Sequence, residues 1–353
     1  MKPKVAIIGH GYTSRLGLIR SLATIGADIS MIPLENDRMK PVDFYSKYAK
    51  HIYPCPGRNE EDIMHIIQEK CLDPNIKVTL LPTDDFSASF IDRHIDQLKE
   101  HFYFPHIQYR QGAVTEWMNK EKQKELAKSL GINVARANIV EITNGQYHLP
   151  ADITYPCFTK TRAYIAGCKD TLHQCSDEKE LRDIFDQLCK RFQRLTVMVE
   201  DFKNIDAEYA VVGFSDSKEV IIPGIIEISV MARGGHKGVA CQGKVMPVKG
   251  FEEIIEKFKK LILKIGFTGL FDIDFYHSDG KLYFGEINLR IGGSGTAITK
   301  MGVHLPVLFI NFLYGLPNVY LEKEIKTTAV YMNERICTDT WQTGHMTIKS
   351  FAR

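Results

Sequence analysis

Gly269-Leu-Phe-Asp-Ile-Asp-Phe-Tyr-His-Ser-Asp-Gly-Lys-Leu-Tyr-Phe-Gly-Glu-Ile-Asn-Leu-Arg290 reads as two strands joined at Ser278-Asp279-Gly280. A three-residue loop with glycine in the left-handed position closes such a hairpin. That loop predicts His277 opposite Lys281, Phe275 opposite Tyr283, Ile273 opposite Gly285 and Phe271 opposite Ile287. One face is then almost wholly apolar and belongs on a core. Side chains alternate along a strand, so the other face carries Asp272, Asp274, Phe284, Glu286 and Asn288. Carboxylates gathered this closely repel one another unless a cation compensates them. An all-oxygen donor set without His or Cys suits Mg²⁺ better than zinc. A solvent-facing strand face with scattered acids is the alternative reading.

Working outward, the first third alternates strand and helix signals. Lys4–Gly9 is an apolar run ending in glycine, Arg15–Ile25 carries Leu16, Ile19, Leu22 and Ala23 at helical spacing, and Asp28–Leu34 is a second strand. A helix around Ile63–Ile67 and a strand Val78–Leu81, closed by Pro82-Thr-Asp-Asp85, complete a β-α-β-α-β order. That order argues for a parallel sheet. In the middle third, Asn119–Leu130 is a polar amphipathic helix stopped by Gly131, and strands Tyr155–Thr159 and Leu195–Val199 flank a helix that opens with Asp177 and Glu180 in capping-box spacing. Strands Tyr209–Phe214 and Val220–Ile226, a helix Phe251–Ile265, the hairpin, a helix around Pro306–Leu313 and a strand Thr328–Met332 follow.

With 353 residues, at about 150 per domain, the chain holds two or three domains. The 45 Lys and Arg nearly cancel the 43 Asp and Glu, leaving a net charge of +2, which gives no argument for nucleic acid or an anionic membrane as partner. The apolar stretch before Gly9 is too short for a signal-peptide core, and Leu305–Leu313 is about half of what a membrane span needs. The eight cysteines include no C-x-x-C pair and read as reduced thiols, so a cytoplasmic protein is expected. The Leu305–Leu313 run suits a homodimer interface as well as a core.

Phe-Gly-Glu286-Ile-Asn288-Leu-Arg290 resembles the E-x-N-x-R signature of the ATP-grasp superfamily, with Asp274 at the position of the carboxylate that superfamily carries twelve residues earlier. Lys120 opens a helix eleven residues before Gly131-Ile-Asn133, which is similar to the superfamily's G-I/V-P turn without its proline. Tyr155-Pro-Cys-Phe-Thr-Lys160 matches Y-P-x-x-x-K. The lid-like run Thr161-Arg-Ala-Tyr-Ile-Ala-Gly167-Cys-Lys169 has a single glycine and looks like the Y-V-x-G-x-R loop of the carbamoyl-phosphate-synthase branch, which also includes D-aspartate-type amino-acid ligases. Val199-Glu200-Asp201-Phe202 stands where an adenine-binding linker is expected, with Glu208 at the ribose-binding position. The resemblance spans residues 113–300 in order and spacing.

The resemblance implies an α/β ATP-grasp fold of α+β lobes behind a Rossmann-like parallel-sheet domain: residues 1–112 as the N-terminal domain, 113–203 as the small lid lobe and 204–353 as the C-terminal lobe with the metal site. It implies ATP with Mg²⁺ or Mn²⁺ as cofactors. Lys120 and Lys160 would neutralise the α- and β-phosphates, Lys169 would stand over the γ end, Glu200, Asp201 and Phe202 would read the adenine edge, and Glu208 would take the ribose hydroxyls. Asp274, Glu286 and Asn288 would hold the metal, with Asp272 as the runner-up ligand, and Arg290 would stabilise the transferring phosphoryl group. The implied activity is a carbon–nitrogen ligase: a small-molecule carboxylate, an amino acid, is activated as an acyl phosphate and joined to an amine. Arg233, Gly293 and Ser294 are the substrate-side residues. Arg233 lies in Arg233-Gly-Gly-His236, otherwise an exposed basic loop, and the other two lie in Gly292-Gly-Ser-Gly295, otherwise a turn.

Three rival readings stand beside this one. The same fold could phosphorylate a small molecule or carbamate, or bind nucleotide without turnover. Gly9-His-Gly11-Tyr-Thr-Ser14, with Glu35 and Asp37 beyond it, occupies the place of a dinucleotide fingerprint and would suit an NAD-dependent dehydrogenase, although Ser14 replaces the third glycine. Cys168, His173 and Cys175 match no common zinc spacing.

Overall fold

The computed structural model describes residues 2–34, 42–162, 171–231, 240–318 and 321–332. Lys169, Arg233, His236, Glu35, Asp37, Gly167 and Cys168 lie outside the described residues. The chain divides into two compact units, one of residues 1–115, 207–274 and 288–353, the other of residues 116–206 and 275–287.

In the first unit the Lys4–Gly9 strand is buried from Val5 onward on both faces, which fits a central strand of a parallel sheet. It pairs in parallel with Asp28–Pro33 and with Val78–Pro82, and the short strands Ala49–Ile52 and Phe102–Tyr103 form the edges. Alternation sends Ala6 and Ile8 to one core with Ile32, Leu80, Phe90 and Phe104. Val5 and Ile7 go to another with Leu18, Ile19 and Leu22 of the helix Tyr12–Ala23. That second core also takes Val212, Phe214, Ile226 and Val245 from a sheet ordered Ala329–Met332, Ala240–Met246, Ile225–Met231, Ala207–Asp216, Phe267–Ser278. Leu305, Leu308, Phe309 and Ile310 enter the same core, so much of the apolar run in the helix Leu305–Leu313 is spent inside the chain.

The second unit is an antiparallel sheet of His173–Cys175, Cys157–Thr161, Arg194–Asp201 and Ala137–Thr143. The helix Glu178–Arg191 covers one face, packing Leu181, Phe185 and Leu188 on Val140, Ile142, Val197 and Val199. Asp177 caps that helix by accepting from Glu180 N–H, while the Glu180 carboxylate accepts from Ser176 N–H at 2.7 Å, one residue outside the expected box. The helix Lys120–Ser129 is capped by Asn119, whose Oδ1 accepts from the N–H groups of Glu121 and Lys122, and ends at Gly131 with φ of 70°.

The hairpin departs from expectation. Its strands are Phe267–Ser278 and Lys281–Asn288, leaving only Asp279 and Gly280 in the turn, with φ of 50° and 73°. Two consecutive left-handed residues make the tight turn whose twist matches that of the flanking strands, and Asp-Gly is well suited to it. The register therefore slips by one from the expected pairing. Tyr276 stacks on Tyr283 with centroids 5.5 Å apart and planes 8° from parallel, as opposed residues do. Phe284, expected on the acidic face, is buried. Ile287, three residues on, is also buried, so the strand has buried side chains on both of its faces.

Two further expectations change. The run Val220–Ile226 is two strands, Val220–Ile221 and Ile225–Met231, interrupted at Pro223-Gly224. A Cβ on Gly224 would come within 2.7 Å of Met246 O, so close backbone approach explains that glycine. Ala49–Ile52 is an additional strand of the first sheet, too polar to stand out in the sequence.

Candidate active site

In the second unit, strand alternation separates an apolar from a charged face. Cys157, Thr159, Thr161, Val197 and Val199 turn inward, while Lys160 pairs with Met198 and Glu200 with Phe158 on the other face. Lys160 Nζ lies 2.8 Å from Glu200 Oε1. Lys124, one turn after Lys120 on its helix, reaches the same carboxylate oxygen and also donates to Ala135 O at 3.3 Å. All three side chains are at most 12% exposed, so two ammonium groups share one buried carboxylate. Burial, followed by repulsion from Lys160, pulls the Lys124 pKa down to about 8 despite its ion pair. Burial alone would raise Glu200, but Lys160 and Lys124 outweigh it and hold the carboxyl below its ordinary value. Lys124 was not singled out in the sequence, where it reads as one more polar residue on an amphipathic helix.

Lys120 occupies the first turn of its helix, and its Nζ lies 2.7 Å from Glu286 Oε2. Its N–H donates to Arg162 O at 3.0 Å, which anchors the helix start to the segment after Lys160. Asp201 N–H donates to Arg136 O at 2.9 Å and Phe202 N–H to Pro156 O at 3.1 Å. The Asp201 carboxylate accepts from Thr154. An adenine edge could not use those two N–H groups without displacing these bonds. Tyr276 is raised mainly by burial, then by the nearby Glu200 charge.

In the first unit a chain of polar contacts joins four residues. Asn288 Nδ2 stands 3.5 Å from Asp274 Oδ2, Arg290 Nη2 donates to Asn288 Oδ1 at 3.2 Å, and Arg290 Nε donates to Asp85 Oδ1 at 3.0 Å. Asp85 opens the helix Asp85–Arg93 after the Val78–Pro82 strand, and Asp84 caps it. Its position at the carboxyl end of a parallel strand, where such sheets bind ligands, was the signal available in the sequence. Glu208 pairs with Ile228, and burial raises its carboxyl.

Among the described residues, no three His, Cys, Asp or Glu side chains gather as a metal-holding group. Asp272 is buried beneath the glycine run, where a Cβ on Gly292 would overlap its Oδ2. A Cβ on Gly293 would come 3.0 Å from Thr13 Oγ1, and Ser294 precedes the helix Gly295–Lys300 without a side-chain cap bond. Asp274 and Asn288 of the first unit and Glu286 of the second offer only oxygen donors, the donor type a hard divalent cation takes.

Gly9, which opens the Gly9–Ser14 loop, is explained by packing. A Cβ on Gly9 would meet Thr83 Oγ1 at 2.6 Å, and Gly9 O accepts from Arg15 Nη1 at 2.6 Å. Arg15 also donates to Asp43 at 2.5 Å, with both side chains fully buried. Cys175 pairs with Cys157 across their strands, and both are buried.

The architecture is that of the ATP-grasp fold, in line with the resemblance read from the sequence. Among solved structures, the chain is similar to an L-amino acid ligase from Bacillus licheniformis, with a TM-score of 0.69 at 17% identity over 93% of this chain and 79% of that one. It is also similar to N5-carboxyaminoimidazole synthetase from Staphylococcus aureus complexed with ADP, with a TM-score of 0.68 at 19% identity over 94% of this chain and 83% of that one. By sequence, it is 24% identical over 314 residues to the carbamoyl phosphate synthase large chain of Clostridium botulinum (strain Loch Maree / Type A3), covering 84% of this chain and 28% of that one. The chain spans between 20% and 28% of the length of the first curated relatives it matches. No protein-family model matches it. No described helix is long and apolar enough to cross a membrane.

Proposed function

We propose that this chain is an ATP-dependent carboxylate–amine ligase acting on an amino acid or a similarly small carboxylate. The observation that carries the reading is the placement of cations on the motif residues: Lys120 against Glu286, and Lys160 with Lys124 around Glu200. Lys120 and Lys160 would meet the α- and β-phosphates, exchanging carboxylate partners for phosphate oxygens at little net cost in charge pairing. Glu208 would accept from ribose hydroxyls. Asp274, Glu286 and Asn288 would hold Mg²⁺ or Mn²⁺, which when bound supplies charge neutralisation at the phosphates. Lys169, Arg233, Gly293 and Ser294 complete the proposed set on the γ-phosphate and substrate sides.

The substrate carboxylate oxygen attacks the γ-phosphorus and ADP leaves, giving an acyl phosphate. The amine then attacks the acyl carbon, phosphate departs, and the amine proton is lost to form the amide. Phosphoryl transfer asks the protein chiefly for positioning and charge stabilisation. Arg290 is suited to this because Asp85 and Asn288 fix its guanidinium from two sides.

The experiment is phosphate release from ATP across a panel of amino-acid pairs. Asp274→Ala and Glu286→Ala should each abolish turnover while leaving the folded state intact. Near-normal rates in both would remove the site assignment, and ATP consumption that leaves a stable phosphorylated product would favour a kinase.

A further inference from the structure

Gln123 lies on the same helical face as Lys120 and Lys124 and is 2% exposed. Its carboxamide makes three hydrogen bonds. Nε2 donates to Trp117 O at 2.7 Å and to Ile287 O at 2.9 Å, and Oε1 accepts from Ile287 N–H at 2.9 Å. The two bonds to Ile287 are those a residue of an adjacent strand would make, so a helix side chain stands in for a strand on that backbone. Ile287 lies between Glu286 and Asn288, and Lys120 holds the Glu286 carboxylate from three residues away on the same helix. One helix face thus grips both the main chain and the side chain of the segment.

We propose that Gln123 is a positioning residue for the cation: it fixes the peptide groups on either side of Ile287 and thereby the direction in which Glu286 leaves the strand. The inference rests on reading Glu286 as a metal ligand. The chemistry requires glutamine. Glutamate keeps the acceptor for Ile287 N–H but loses both donors, asparagine is one methylene shorter, and leucine fills the space but leaves the buried N–H and both carbonyls unanswered. Groups that orient a metal ligand typically matter to metal affinity about 10- to 100-fold without touching the metal.

The test uses the full chain and Mn²⁺, with free Mn²⁺ followed by electron paramagnetic resonance at saturating ADP. ADP binding in EDTA is measured in parallel by calorimetry. Gln123→Glu should weaken Mn²⁺ binding by about tenfold and Gln123→Leu by up to about 100-fold, with ADP binding in EDTA unchanged. A folded Gln123→Glu protein with wild-type Mn²⁺ affinity would overturn the proposal. So would a loss of ADP affinity in EDTA equal to the loss for Mn²⁺, or failure of both variants to fold, since each makes Gln123 a general structural residue. If the wild-type chain binds no Mn²⁺ with ADP, the reading of the site itself fails, and that is seen before any substitution is made.

Discussion

Replacing Lys124 with methionine should cost the protein little, whereas replacing Glu200 with glutamine should cost it a great deal. The magnitudes follow from two ammonium groups sharing one carboxylate. Lys124 is held at a pKa of about 8 in the folded chain. A lysine in the unfolded chain titrates near 10.4, so the gap of about 2.4 pH units corresponds to about 3 kcal/mol of stability absent while Lys124 is charged. The unfolded chain keeps that proton to higher pH than the folded chain does. Stability should therefore rise with pH between about 8 and 10.4 and level off above. Methionine removes the buried charge and leaves Lys160 and Glu200 as a matched pair at 2.8 Å. Lys124→Met should accordingly lie within about 1 kcal/mol of wild type at pH 7, or above it, and should lack the alkaline rise. Glu200→Gln leaves two buried ammonium groups facing each other, with a cost of about 3–5 kcal/mol, partly relieved as Lys124 gives up its proton at lower pH. Urea unfolding of the three proteins at pH 7, 8.5 and 10 measures all of this. Lys124→Met as unstable as Glu200→Gln at pH 7, or parallel wild-type and Lys124→Met stabilities from pH 8 to 10, would refute the reasoning.

Two further substitutions address the first unit. Asp85→Asn keeps the size of the side chain but removes the charge opposite Arg290. Steady-state kinetics should show kcat lowered about tenfold, equivalent to about 1.4 kcal/mol of a lost charge-assisted hydrogen bond, with KM for ATP unchanged; a normal kcat would separate Asp85 from the reaction. Arg15→Met leaves Asp43 buried and uncompensated and should lower stability by about 3–5 kcal/mol. Arg15→Met with Asp43→Leu should recover much of that loss in urea unfolding, and strictly additive losses would show that the two residues are not coupled.

The residues that pair as Lys120 with Glu286 and Lys160 with Glu200 stand out in the sequence because they combine a charge type with a fixed spacing. Lys120 follows its capping Asn119, and Glu286 and Asn288 lie two apart on a strand. The partners were not legible, because partnership is a long-range property. Lys124 and Gln123 look like ordinary solvated positions until residues 76 and 164 places away fold against them. The hairpin was read correctly as a hairpin but in the wrong register, since Ser-Asp-Gly supports either a two- or a three-residue turn and a slip of one residue reverses every face. Asp85 was visible as a turn residue, but its pairing with Arg290, 205 residues on, was not.

The second unit is built from two separated stretches, 116–206 and 275–287, and this sets a timetable for the nascent chain. At about 5–20 residues per second, the intervening stretch 207–274 occupies a ribosome for roughly 3–14 s. Throughout that interval the backbone that Gln123 grips does not yet exist, nor does the carboxylate that Lys120 holds, and Asn133–Val134 lacks the strand with which it pairs at Tyr283 and Phe284. Glu200 is already made, so Lys124 and Lys160 can be neutralised early, but the helix that carries Gln123 and Lys124 cannot be locked in place until translation has passed residue 287.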